Sequence, residues 1–234
     1  PLKPINRLNW GVFVTGAAIS EIATGRTLNL TTIKPHVAMK IVEQLSHLPE
    51  AVLILRDKCQ AGHDYMVTGR GELTPATRWW FEQNDTVVHR QGHITKEDLN
   101  HTLRIGLVAP AIRMKDAARE LVNSLGDQAI LHNFQAVQLP SPDQSVHILE
   151  VFAPGVDKWK GLKWIADHHA IDDAEIVVIG DSINDISMIS AAGCGIAMGN
   201  ASESVKATAN YVTATNDENG VAQTIDCLMN EIWD

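Results

Sequence analysis

The sequence predicts an α/β protein, with a doubly wound parallel sheet in its last third and an antiparallel α+β insertion before it. Three observations predict this. Short β-rich runs alternate with amphipathic stretches along the whole chain. After Pro154 the order becomes helix, buried strand, helix, strand, helix, strand, helix. No internal repeat, low-complexity tract or Pro/Gly/Ser-rich linker divides the 234 residues.

Each element has a local reason. Gly11 to Ile22 and Thr27 to Thr32 read as strands, and Ala23-Thr24-Gly25-Arg26 supplies a hairpin tip. Residues 35–47 place Val37, Ile41, Val42 and Leu45 at helical spacing. The runs 51–56 and 64–69 read as strands around a turn containing Gly62, and 75–84 as a short helix carrying Trp79, Trp80 and Phe81. A strand at 86–89 follows. Residues 101–110 alternate as a strand, 112–125 form an amphipathic helix, and 134–139 with 147–153 suggest another antiparallel pair. Beyond Pro154, helices are expected at 158–169, 184–191, 202–208 and 220–231, and strands at 175–180, 195–199 and 210–214.

At ~150 residues per domain the chain is one large domain or two small ones. Apolar residues at 45% and charged residues at 20% exclude a disordered chain, a collagen-like repeat and a coiled-coil rod. Nineteen Lys and Arg against 28 Asp and Glu give a net charge of −9 with no basic block, which argues against a nucleic-acid partner. The longest apolar runs are a few residues, too short for a membrane helix, so no membrane partner is expected. Lys3 and Arg7 ahead of Trp10 to Ile19 imitate a signal peptide, but Thr15 and two glycines interrupt the apolar part. Cys59, Cys194 and Cys227 are odd in number and far apart, which suits reduced thiols and a cytoplasmic location.

The densest chemistry lies in Val177-Val178-Ile179-Gly180-Asp181-Ser182-Ile183-Asn184-Asp185. A buried strand runs directly into Asp181, at the carboxyl end where open α/β sheets place their ligands. Asn184 and Asp185 follow one turn later, so the three side chains can converge. Two carboxylates that close repel unless a cation or proton intervenes, and all-oxygen ligands favour a hard ion, Mg²⁺ before Ca²⁺ or a transition metal. The plainer alternative is that Asp181 and Asn184 are turn and helix-cap residues.

The sequence continues as Met-x-x-Ala-Ala-Gly-Cys-Gly-Ile-Ala-Met-Gly-Asn-Ala, then Val-Lys, then Asn-Gly-Val-Ala. With Gly-Asp-x-x-Asn-Asp-x-x-Met ahead of it, the stretch Gly180 to Ile225 resembles the Cof-type phosphatases of the haloacid dehalogenase superfamily. Upstream, ILEVFAPGVDKWKGLKWIADHHAI resembles the family's segment bearing the catalytic lysine, which falls on Lys158. The resemblance implies a Rossmann-like core, residues 1–28 and 153–234, with an inserted α/β cap, 29–152. It implies a phosphatase of small phosphate esters, sugar phosphates among them, acting through an aspartyl-phosphate. Lys158 would put positive charge against the phosphoryl oxygens, and Asn184 would hydrogen-bond a phosphate oxygen or fix Asp185. Asp181 would hold Mg²⁺, with Asp185 ligating or bracing it. Lys160 and Lys163 compete for the lysine role and are read as solvated surface residues.

The family's nucleophile lies in an N-terminal Asp-x-Asp-x-Thr, and no such motif occurs here; the first aspartate is Asp57. The family's second motif is often Thr-Gly-Arg. That triplet occurs at Thr24-Gly25-Arg26, a hairpin tip, and at Thr68-Gly69-Arg70. VFVTGAAISEIATGRTL instead resembles the segment just after the second motif. The chain is therefore expected to start past both motifs, which leaves three readings: a truncated or split gene, a separate N-terminal polypeptide carrying the nucleophile, or a non-catalytic binding or regulatory protein that has lost it. The chain alone is expected to be inactive.

Other features read as structural. His168-His169 ends a helix without further ligands at zinc spacing, and His89 and His93 share a face only on a helix, where a strand and turn are expected. Trp79-Trp80-Phe81 reads as packing. Arg70, Arg78 and Arg104 are candidates to meet an anionic or sugar substrate from the cap. Ser182 and Ser187 lack His/Asp partners, and Gly193, Gly195 and Gly199 do not form a dinucleotide fingerprint.

Overall fold

The computed structural model describes residues 10–137 and 145–230. The readings at Lys3 and Arg7, at residues 138–139 and at residue 231 lie outside that range. The chain divides into two compact units, the first ending at Val156 and the second starting at Asp157.

The first unit opens with an antiparallel meander of β1 (Trp10–Phe13), β2 (Ala18–Glu21) and β3 (Thr27–Leu30). Val14 and Thr15 turn β1 into β2 with φ of 52° and 58°, a left-handed conformation rare for β-branched residues. Its main sheet has six strands: β4 (Val52–Arg56), β5 (Tyr65–Thr68), β6 (Val88–Arg90), β7 (Thr102–Pro110), β8 (Ile130–Val137) and β9 (Val146–Phe152), in the order β6-β5-β4-β7-β9-β8. Alternation sends Ile105, Leu107 and Ala109 of β7, with Val52, Ile54, Leu149 and Val151, to one face. There they meet Val37, Ala38, Ile41 and Leu45 of α1 (Pro35–Leu45), and Met114, Ala117, Leu121 and Leu125 of α4 (Ala111–Leu125). The helical spacing of those residues is what makes one apolar stripe per helix. Two shorter helices, α2 (Lys58–Ala61) and α3 (Pro75–Gln83), flank β5 in sequence. Ala17 and Ala18, in the stretch grouped from the sequence with residues 153–234, are buried in this unit's apolar cluster beside Ile33 and Leu103.

Two expectations are corrected here. The insertion is not wholly antiparallel: β6 runs parallel to β5, because α3 carries the chain back between them as a crossover. The Trp79-Trp80-Phe81 run is not all packing. Phe81 is buried with Ala51, Tyr65 and Val67, whereas Trp79 and Trp80 are 61% and 46% exposed, since α3 presents only one face to the sheet.

The second unit comprises α5 (Lys158–His168), β10 (Val177–Gly180), α6 (Ile186–Ala191), β11 (Cys194–Ala197), α7 (Glu203–Lys206), β12 (Tyr211–Val212) and α8 (Gly220–Met229). Its three strands are all parallel, in the order β10-β11-β12, with Val177 opposite Cys194 and Gly180 opposite Ala197. Val178, Met188, Ile189, Ala197 and Val205 form its core, with Trp159 and Leu162 packed against it. A Cβ on Gly195 would lie 1.9 Å from the Ile189 carbonyl oxygen, so only glycine lets α6 sit this close to β11. No helix among the described residues is long and apolar enough to cross a membrane.

Candidate active site

Within the second unit, β10 ends at Gly180 and the chain passes directly into Asp181. A 3₁₀ turn, Ile183–Asp185, precedes α6 and brings Asp185 back beneath the strand end. Gly180 makes room for it, since a Cβ there would lie 2.5 Å from the Asp185 Cβ. The Asp185 carboxylate, 5% exposed, has both oxygens engaged. Oδ2 accepts the backbone N–H groups of Asp181 at 3.1 Å and Ser182 at 3.0 Å. Oδ1 accepts from Lys158 Nζ at 2.5 Å.

Lys158 is the first residue of α5, and its position is set by the helix start. Asp157 caps that start, its side chain accepting from the N–H groups of Trp159 at 2.8 Å and Lys160 at 3.3 Å. The Lys158 side chain is 31% exposed, so its ammonium is paired with Asp185 on one side and open to solvent on another.

Asp181 is exposed, with Oδ1 accepting from Ser182 Oγ at 3.2 Å and Oδ2 from Asn200 Nδ2 at 3.3 Å. Asn184 is half-buried, and its Oδ1 has no hydrogen-bond partner. The structure thus gathers Lys158, Asp185 and Asp181 around one strand end, and holds Asn184 on the turn between the two aspartates. These donors fit a hard cation. They are all oxygen, Asp181 presents its carboxylate to solvent, and Asp185 Oδ1 keeps a lone pair after accepting from Lys158. Among the described residues no group of three His, Cys, Asp or Glu side chains gathers into a metal site, so a cation here would complete its shell with water, as Mg²⁺ does.

The competing residues lie elsewhere. Lys163 pairs with Asp167 at 2.5 Å and Asp173 at 3.0 Å. Lys160 contributes only its backbone N–H to the Asp157 cap. His89 lies in β6 and His93 beyond its end, with no helix to align them. Arg104 is taken up within the first unit by Glu150 and the Tyr65 hydroxyl, so its guanidinium is largely spent. Burial pushes the Tyr65 hydroxyl above the usual phenol range, although Arg104 acts in the opposite direction. Sequence reasoning gave no role to Asn200 or Asn216. The available signal was position: Asn200 follows β11 by three residues, where the loops of a parallel sheet converge on the same end as Asp181.

A family profile described as haloacid dehalogenase-like hydrolase matches residues 4–225. A 5-amino-6-(5-phospho-D-ribitylamino)uracil phosphatase of Bacillus subtilis, YitU, is 33% identical over 135 residues, 56% of this chain and 47% of its own length. A phosphoglycolate phosphatase of Archaeoglobus fulgidus is 38% identical over 111 residues, 47% of this chain and 44% of its own. The chain therefore matches less than half the length of these relatives. Among solved structures, a haloacid dehalogenase-like hydrolase from Bacteroides thetaiotaomicron superposes with a TM-score of 0.71 at 24% identity. That superposition covers 92% of this chain and 74% of the other, and the likeness is one of fold.

Proposed function

We propose, for a chain that belongs to the haloacid dehalogenase-like hydrolases, that its second unit supplies Lys158, Asn184, Asp181 and Asp185 to a phosphatase site for small phosphate esters, sugar phosphates among them. The Lys158–Asp185 ion pair beside the exposed Asp181 carries this reading. One Lys158 proton donates to Asp185, which leaves two donors for phosphoryl oxygens. Asn184, between the two aspartates in sequence, offers a carboxamide donor to a further phosphate oxygen. Mg²⁺, held by Asp181 and braced through Asp185, would supply the remaining positive charge against the phosphoryl group. The relatives' names, a phosphoribityl compound and phosphoglycolate, support a small phosphate monoester as the substrate class.

The route implied by the family runs through an aspartyl-phosphate. A carboxylate attacks phosphorus, the ester P–O bond breaks and the alcohol leaves with a proton. Water then splits the acyl phosphate into orthophosphate and the free carboxylate. No Asp-x-Asp-x-Thr occurs in the 234 residues, so on this route the attacking carboxylate comes from outside them. A second reading is a binding or regulatory protein that retains the phosphate-holding residues without turnover.

Titration of inorganic phosphate, the product common to all such esters, into the chain with Mg²⁺ tests the shared part of both readings. Saturable binding that is lost in Lys158→Ala and weakened in Asn184→Ala is expected. Binding unchanged in both variants would overturn the assignment.

A further inference from the structure

We infer that Asn200 is a positioning residue for the Asp181 carboxylate, an inference that rests on the site reading above. Asn200 sits between two groups whose roles are fixed. The Asn216 backbone N–H, which can only donate, points to Asn200 Oδ1 at 3.0 Å. The carboxamide nitrogen must therefore face the other way, and Nδ2 donates to Asp181 Oδ2 at 3.3 Å. The orientation of the amide is set by its partners on both sides.

The placement of these residues gives the contact its consequence. Asp181 follows β10, Asn200 follows β11, and Asn216 follows β12. One side chain thus joins the carboxyl-end loops of all three parallel strands. The Asn216 end is itself braced: it opens a 3₁₀ turn whose preceding Thr215 donates its backbone N–H and its hydroxyl to Glu218, at 3.2 and 2.8 Å. Asn200 extends that hydrogen-bonded brace to Asp181. With Ser182 Oγ on Oδ1 and Asn200 Nδ2 on Oδ2, each carboxylate oxygen takes one donor and keeps a lone pair free for a cation. Groups that orient a ligating carboxylate in this way tune cation affinity without touching the ion.

Two variants separate positioning of Asp181 from simple tethering of the loop. Asn200→Asp keeps the shape and the acceptor for the Asn216 N–H, but turns the donor facing Asp181 into a second anionic oxygen. Asn200→Ala removes both contacts. By calorimetry with Mg²⁺ alone, Asn200→Ala should bind about threefold to tenfold more weakly, and Asn200→Asp should bind more tightly than wild type by a similar factor. If Asn200 only tethers the loop, Asn200→Asp will bind Mg²⁺ as wild type does, and the inference fails. A second measurement needs no metal. The Asn200 side-chain amide resonances in ¹⁵N–¹H NMR should shift in Asp181→Asn, and unchanged resonances would also overturn the inference. A shift in that variant without measurable Mg²⁺ binding in wild type would sustain the Asn200 contact while removing the metal reading.

Discussion

Asp185→Ala should cost the second unit much of its stability, because this carboxylate is a structural brace as well as a candidate site residue. Its Oδ2 accepts two backbone N–H groups from the turn after β10, and hydrogen bonds to a charged group contribute about 1.5–3 kcal/mol each. The ion pair adds less. Lys158 is about a third exposed and returns to water when its partner is removed, so roughly 1 kcal/mol is a ceiling for that part. The loss should therefore be about 3–7 kcal/mol, against a typical domain stability of about 5–15. Asp185→Asn, which keeps an oxygen for the two N–H groups, should lose about half as much. Amide hydrogen exchange at Val178 and Ile196, in the middle of β10 and β11, reports the stability of this unit apart from the first. Protection there should fall by about a hundredfold or more in Asp185→Ala. A fall of less than about threefold would refute the reasoning, since it would mean that the carboxylate does not hold the turn.

The other predictions concern different parts of the chain. Gly195→Ala places a methyl group on the Ile189 carbonyl and should lower stability by at least about 2 kcal/mol, seen as a depressed melting temperature or an insoluble protein. The purified chain should show no turnover of an aryl phosphate, because its sequence lacks the family's nucleophile motif; turnover abolished by Asp181→Ala would show that the nucleophile lies within these residues. Burial raises the Tyr65 hydroxyl above its unfolded value near 10, so its contribution is complete below that pH and is lost as pH rises through the folded value. Melting temperatures between pH 8 and 11 should fall more steeply for wild type than for Tyr65→Phe, and parallel curves would count against this.

Much of the fold was legible because its pattern is local. Period-2 alternation in residues 101–110 and helical spacing at Val37, Ile41 and Leu45 each depend on one element meeting one apolar surface. The parallel course of β6 was not legible, because residues 86–89 have the same alternation whichever way the strand runs; direction depends on α3 crossing over. The exposure of Trp79 and Trp80 was hidden for a related reason. A three-residue aromatic run cannot all face one side of a helix, and only the sheet decides which member is covered. At the candidate site, Asp181, Asn184 and Asp185 stood out because one strand-to-turn segment carries all three. Lys158 was legible only through its resemblance to a family segment, since it lies 27 residues from Asp185 in sequence. Asn200 and Asn216 went unassigned, because their link to Asp181 exists only once three parallel strands align their carboxyl ends.

The central claim is that Asp181 and Asp185, beside Lys158, form the cation-holding and phosphate-holding end of this chain. Mg²⁺ calorimetry on the unmodified chain tests it most directly. Two carboxylates, one already braced by Lys158 and two N–H groups, leave most of an octahedral shell to water, so affinity should be roughly millimolar. At millimolar Mg²⁺ the resulting stabilisation is about 0.4 kcal/mol or less. Binding should disappear in Asp181→Asn combined with Asp185→Asn. Micromolar binding that survives this double substitution would place the cation elsewhere and contradict the account.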